Sequence, residues 1–338
     1  MMKRFIPFLT KTWYERPSFL ASVVLYPLSL IYRFIVSVRK AFYRLKWKKT
    51  TSFSVPVIVV GNITVGGVGK TPVVAALVDL LRRRGLKPGA VSRGYKGQAK
   101  EWPQAVTAHS DPREVGDEPV MLVQKTNVPL VVGPDRVATV KVLLDHYDCD
   151  VVISDDGLQH YAMDRDIEII VIDGERRFGN GHLLPAGPLR EPIKRLKTVD
   201  YVLTQGKAKP GEFSMQLLPG PCYRIRDHVP IDLSTLQATP VHAVAGIGNP
   251  DRFFDLLRSL GFNVISHPFP DHHRFLPADI VFKENYPVLM TEKDAVKCHS
   301  FVNDLYYTLA VNAQLDEAFE EELFHQIQPL LRRKFELK

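Results

Sequence analysis

An α/β fold with a mostly parallel sheet is predicted by three observations. Ser54–Gly61 is a short β-branched run that ends in a glycine-rich loop and leads into a helix. Apolar runs of strand length then alternate with helical stretches through the rest of the chain. Ahead of both lies an N-terminal segment whose charge and hydropathy differ from everything that follows.

That segment comes first. Residues 1–78 hold 12 Lys and Arg and one acid, Glu15, a net of +11; subtracting this from the chain's +7 leaves −4 for residues 79–338. The basic balance is therefore local, which argues against a globally basic nucleic-acid binder. From Ser18 to Tyr32 no residue is charged. As a helix this run is about 22 Å long, short of the roughly 30 Å hydrocarbon core of a bilayer. Arg33, Arg39, Lys40, Arg44, Lys46, Lys48 and Lys49 follow, interleaved with Phe34, Phe42, Tyr43 and Trp47. Such a pattern suits the headgroup region of an anionic leaflet, with shallow insertion preferred over a full span. No small-residue cleavage site follows the run, against a signal peptide.

The 338 residues are 45% hydrophobic, enough for about two domains with separate cores. A 24% charged and 10% aromatic composition excludes a disordered chain, and the 21 Gly and 25 Pro show no collagen-like period. Cys149, Cys222 and Cys298 are far apart and form no CxxC, so a disulfide framework is disfavoured.

After Gly61, Thr71–Arg84 carries Val74, Leu77, Val78 and Leu81 at helical spacing, with Gly85 as its stop. Strand-like runs follow at 129–133, 151–154, 167–172 and 201–204, with a helix over 136–146. A second α/β unit is read from 241–247, the helix 250–260, then 264–266, 288–291 and 305–311, ending in a helical stretch over 316–331. The expected organisation is a membrane-associated helix and basic flank over 1–49, a nucleotide domain over 50–200, and a smaller α/β domain over 201–338.

The segment Thr64-Val65-Gly66-Gly67-Val68-Gly69-Lys70-Thr71 departs from GxxxxGK[ST] only at its first position, where Thr64 replaces glycine. Glycines let successive backbone N–H groups turn inward around a polyphosphate, and the helix start adds a positive dipole end. Lys70 would reach the terminal phosphates and the Thr71 hydroxyl would ligate Mg²⁺. The GGxGKT core is that of a deviant Walker A loop. Asp155 and Asp156, just past the strand 151–153, are the metal candidates, placed as a Walker B element would be. Ser92-Arg93-Gly94-Tyr95 and Gly116-Asp117-Glu118-Pro119 are equally compatible with phosphate or base chemistry and with plain turns and caps. Residues 184–192, with Arg190 and Glu191, read as an active-site loop or a linker. Asp271-His272-His273 fits a carboxylate-held proton-transfer histidine better than a zinc site. Thr291-Glu292-Lys293-Asp294 has its lysine one place off the guanine-reading pattern, so GTP selectivity has little support.

The ordered set GNITVGGVGKTP, SRGYKG, VGDEP, DDGLQH, GNGHLLPAGPLREP, FPDHH and TEKD closely resembles the tetraacyldisaccharide 4′-kinases of lipid A synthesis, over residues 12–297. The resemblance implies ATP- and Mg²⁺-dependent transfer of a γ-phosphoryl group. The acceptor would be the 4′-hydroxyl of a tetraacylated glucosamine disaccharide 1-phosphate at the cytoplasmic face of the inner membrane. It also implies a P-loop domain with an N-terminal membrane helix, joined by a strand linker to a smaller α/β domain. Lys70 and Thr71 would hold triphosphate and metal, with Asp155 and Asp156 near Mg²⁺. Asp117 would pair with His272, or with the adjacent His273, once the two units close. Arg190 and Glu191 would line the transfer region, Glu191 being a further metal candidate. Partners would be the lipid and an anionic membrane surface, with no nucleic acid. Two other classes stay open: a membrane-associated P-loop ATPase acting on a protein, and a nucleotide-binding module without turnover.

Overall fold

A computed structural model of the chain describes residues 12–14 and 19–335, with side chains from 23 to 331 in the second stretch. Glu15 and the Ser18 end of the apolar run lie outside the described residues. Among the described residues thirteen strands form one sheet: β1 (Val57–Gly61), β2 (Pro88–Ser92), β3 (Gln104–Val106), β4 (Leu130–Val132), β5 (Val151–Asp155), β6 (Ile167–Asp173), β7 (Tyr201–Gln205), β8 (Phe213–Arg224), β9 (Pro230–Ile231), β10 (Val241–Ala245), β11 (Val264–Pro268), β12 (Val288–Thr291) and β13 (Tyr306–Leu315). Their order is β11-β10-β12-β13-β8-β7-β6-β1-β5-β2-β4-β3, with β9 on β8.

β1 is buried at every residue, as expected of a central parallel strand covered on both faces. β5 and β6 flank it in parallel, with Val60 opposite Asp155, so the acidic pair ends beside the start of the phosphate loop. Helix Lys70–Arg83 covers one face through Val73, Val74, Leu77, Val78, Leu80 and Leu81, and truncating Leu77 to Ala there should cost about 2–5 kcal/mol. Helix Arg136–His146 packs against β2 and β4, and Val140 and Leu143 join the other core layer.

The sheet does not stop near residue 200. β7 passes in parallel to β8, and β8 pairs antiparallel with β13, which continues in parallel through β12 and β10 to β11. Strands β10–β13 thus run opposite to β1, β2 and β4–β7, and β3 at the far edge is antiparallel to β4. Residues after β11 nevertheless touch helix Asp117–Thr126. A register shift between Leu309 and Val311, opposite Cys222 and Pro219, marks a bulge, a device that strengthens twist.

Helix Glu317–Phe335, which the sequence groups with the second unit, returns to the first core. Phe319, Leu323 and Ile327 are buried there, and Glu320 pairs with Arg83 at 3.3 Å. Helix Phe19–Arg44 lies along the 183–190 loop. Ser29 Oγ donates to Leu183 O at 2.7 Å and accepts from Ala186 N–H at 3.0 Å, while Tyr32 OH donates to Arg190 O at 3.2 Å. Its other side exposes Val24, Leu28, Ile31, Phe34 and Ile35, with Phe34 at 68%. Among the described residues no helix is long and apolar enough to cross a membrane.

Candidate active site

The phosphate loop begins where β1 ends. Gly69 takes φ 87°, a left-handed conformation that glycine adopts without steric cost, and helix Lys70–Arg83 starts at the next residue. A Cβ at Gly66 or Gly67 would meet no atom within 4 Å, so the loop is unpacked on the side that a side chain would occupy. Not every residue of the loop is free. Val65 donates its N–H to Pro188 O at 2.9 Å, Thr64 bridges Leu189, and Val68 is packed in the core. These contacts correct the expectation that the whole run from Thr64 cradles phosphate: the Val65 amide instead ties down the Pro-rich loop.

Residues 184–192 are thereby an ordered part of the site. Arg190 Nε donates to Thr64 O at 3.1 Å, and its terminal nitrogens hold Asp156 at 2.9 and 3.1 Å. Lys70 Nζ sits 3.5 Å from Asp156 and 3.2 Å from Asn62 Oδ1, an oxygen that also accepts from Arg190. Asn62 is fully buried and fixes both cations, a role the sequence reading missed; a polar residue at the end of a wholly buried strand was the available signal. Arg136 was missed as well. It is buried, donates to Gly133 O at 2.6 Å and points a second nitrogen at Asp155 O, 3.4 Å away.

The acidic pair divides by environment. Burial acts to raise the Asp156 carboxyl, but Lys70 and Arg190 outweigh it and hold the group well below the usual range. Asp155 is pushed up, by burial first and by the Glu118 carboxylate next. Its Oδ1 is buried and has no hydrogen-bond partner. An orphaned carboxylate oxygen beside an open glycine loop fits a divalent cation with phosphate oxygens. Thr71 is buried in the first turn of the same helix. Glu191 is buried and held by the protein. Gln159 Nε2 and Tyr161 OH donate to its two oxygens at 2.8 and 2.7 Å, and Arg195 lies 3.4 Å away. Each oxygen accepts one protein donor and keeps a further lone pair, so these bonds anchor the loop and leave Glu191 a metal candidate. His160, buried beside Arg136 and Arg93, is pushed down to about 4 and stays neutral.

Asp117 opens helix Asp117–Thr126, where the helix dipole favours a carboxylate. His272 Nδ1 lies 2.8 Å from its Oδ2 and 3.1 Å from its Oδ1, although 155 residues separate the two. Burial acts to raise Asp117; the His272 hydrogen bond and the Lys293 and Lys297 charges prevail and lower it. His273 turns away, bonding Asp279 at 3.0 Å and packing on Phe269 and Phe275. The pair is formed in this structure. Both Asp156 (φ 51°) and His272 (φ 59°) hold left-handed backbone, strain on the order of 1–3 kcal/mol each that tends to gather at functional sites. Beside them, the second unit reaches the loop itself: a Cβ at Gly248 would stand 3.1 Å from Gly67 N. Arg93 is exposed, and its charge bears on both Arg136 and His160.

A tetraacyldisaccharide 4′-kinase of Nitrosococcus oceani is 46% identical over 338 residues, covering 100% of this chain and 99% of that one. One from Coxiella burnetii is 47% identical over 323 residues, with 95% and 96% covered. A crystal structure of LpxK from Aquifex aeolicus in complex with ATP superposes with TM-score 0.78 at 29% identity, over 92% of this chain and 99% of that one. The profile of the family described as Tetraacyldisaccharide-1-P 4′-kinase matches residues 21–328, and the chain belongs to that family.

Proposed function

We propose that this chain transfers the γ-phosphoryl group of ATP to the 4′-hydroxyl of a tetraacylated glucosamine disaccharide 1-phosphate, at the cytoplasmic face of the inner membrane. The observation that carries the reading is the approach of Asp117 to His272 at 2.8 Å beside an open phosphate loop. A sugar hydroxyl is a weak nucleophile at neutral pH, and a positioned base is worth about 10²–10⁴-fold. Asp117 takes the hydroxyl proton while the oxygen attacks the γ-phosphorus, and the bridging bond breaks toward ADP. Lys70 and the amides from Gly66 onward meet charge on the transferring group. Thr71 and Asp155 would hold Mg²⁺, with Asp156 keeping Lys70 and Arg190 in place. Mg²⁺ supplies neutralisation of phosphate charge.

Helix Phe19–Arg44 supports the membrane part of the proposal. Its exposed apolar side and the basic cluster after it suit insertion into an anionic leaflet, with Trp47 at headgroup depth. The division at residue 200 belongs to the same reading: Asp117 and His272 come from different units, so their meeting assembles the site and excludes water. Transfer of label from ATP to the disaccharide lipid, with the product site mapped to the 4′ position, tests it. Hydrolysis of ATP indifferent to the lipid would favour an ATPase acting on a protein instead.

A further inference from the structure

Lys293 stands in the first turn of helix Glu292–Cys298, in the Thr-Glu-Lys-Asp stretch that the phosphate-transfer reading leaves unused. Its Nζ is 2.9 Å from Glu118 Oε1, 3.1 Å from Asp271 Oδ1 and 3.1 Å from His272 Nε2. The side chain is 14% exposed. Burial would favour the neutral amine, but the Glu118, Asp271 and Asp117 carboxylates prevail and hold the ammonium charged, above the usual lysine range.

An ammonium has three protons to donate and no lone pair to offer. Three acceptors surround this one. His272 Nε2 is therefore the lone-pair end of the ring, and the ring proton lies on Nδ1, from which it is donated to Asp117. Asp117, Glu118 and His272 lie close enough together to hold a metal, but the Lys293 ammonium contacts two of the three and supplies the positive charge.

We propose that Lys293 is a positioning residue for the phosphoryl transfer: by engaging His272 Nε2 it commits the imidazole to donate through Nδ1 and leaves Asp117 as the group that takes the acceptor's proton. The inference rests on the reading of Asp117 and His272 as the hydroxyl-activating pair. The opposite tautomer would set a nitrogen lone pair against the Asp117 carboxylate, removing the bond that orients it. Lys293 also joins the two sides of the site, since Glu118 extends from the Asp117 helix and Asp271 from the His272 loop.

The other groups around the pair leave this role to Lys293. Lys297 is 4.0 Å from Asp117 Oδ2 and is held at 2.6 Å by Asp294. Tyr95 meets the imidazole edge-on at 5.1 Å, and Asp271 stands 3.7 Å from Nε2. Glu118 donates only its backbone N–H to Asp117, at 3.0 Å.

The test is nitrogen NMR of the ¹⁵N-histidine-labelled full-length protein, with His272 assigned by its loss in H272Q. The expected wild-type result is a proton on Nδ1 and a bare Nε2. In steady-state kinetics with ATP and the disaccharide lipid, K293M should lower kcat on the order of tenfold to a hundredfold, a part of the base's contribution, with KM for ATP little changed. Its acid limb should move to higher pH, because Asp117 loses a neighbouring cation. K293R keeps the charge and should hold the acid limb near its wild-type position even where kcat falls. A proton on Nε2 in the wild type would overturn the proposal, as would K293M with unchanged kcat and acid limb. If K293M does not fold, the wild-type spectrum alone decides. A wild-type chain without lipid phosphorylation would overturn the functional reading instead, and the spectrum would still judge Lys293.

Discussion

Arg190 grips Asp156 with both terminal guanidinium nitrogens, at 2.9 and 3.1 Å, while Asp155, one residue earlier, keeps a buried Oδ1 without a partner. Two neighbours of the same residue type thus have different tasks. Asp156 organises the cations of the site; Asp155 presents an open oxygen.

Asp155 should make magnesium binding and pH dependence visible in stability. Its folded-state carboxyl is raised, so above the ordinary carboxylate range the fold holds a proton that the unfolded chain has lost. Without metal, this contribution to stability falls as pH rises. Mg²⁺ should accordingly raise the melting temperature more at pH about 8 than at pH about 5. Asp155→Asn should abolish that difference and lower kcat by about 10²-fold or more. A magnesium shift that is unchanged in the variant would place the ion elsewhere.

Lys70→Ala should leave the fold intact and reduce transfer by about 10²–10³-fold, the scale for losing one preorganised charge at a transition state. Asn62→Ala should weaken the same step by less, because Lys70 and Arg190 lose only their shared acceptor. Circular dichroism with phosphate-transfer rates separates the two effects. Near-normal turnover in Lys70→Ala would remove the loop from the mechanism.

Asp117→Ala and His272→Ala should each cut kcat by about 10²–10⁴-fold, and the double variant should be little worse than either. His273→Ala should be milder, since that ring is bonded to Asp279. In His272→Ala the Asp117 carboxyl loses the hydrogen bond that lowers it, so any residual activity should show its acid limb at higher pH. Fully multiplicative losses in the double variant would mean that the two act separately.

Ile31→Asp with Phe34→Asp should release the protein from anionic vesicles and leave ATP binding unchanged, because these side chains point away from the 183–190 loop. Deleting residues 1–45 is a different perturbation. It also removes Ser29 and Tyr32 from that loop, and should disturb the Arg190 region as well as membrane binding. Vesicle sedimentation alongside nucleotide titration distinguishes the two variants.

The first half of the fold was legible because its signals are local. Helix Lys70–Arg83, helix Arg136–His146, β4, β5, β6 and β7 fall within a residue or two of their predicted limits and β1 begins three residues late, whereas the short strands β2 and β3 were not read. β8 was missed because Pro219-Gly220-Pro221 interrupts a stretch that otherwise reads as strand, and those residues lie at the bulge opposite β13. Missing β8 hid the continuity of the sheet and the return of helix Glu317–Phe335 to the first core. In the site, the pairing of Asp117 with a histidine of the Asp271-His272-His273 stretch was anticipated through the family resemblance, with His272 and His273 both open. Lys293 was not. Its partners Glu118, Asp271 and His272 are distant or unremarkable in sequence, and only folding brings their lone pairs around one ammonium.

The bulge in the β8–β13 pair has a mechanical consequence. Pro219 and Pro221 have no N–H, so two positions in the middle of a twelve-residue strand cannot donate to the ladder. The ladder is therefore thinnest at the bulge, on the strand pair that joins the half of the sheet bearing the phosphate loop to the half that leads to His272. A twist of one half of the sheet against the other should concentrate there, where the fewest backbone bonds oppose it.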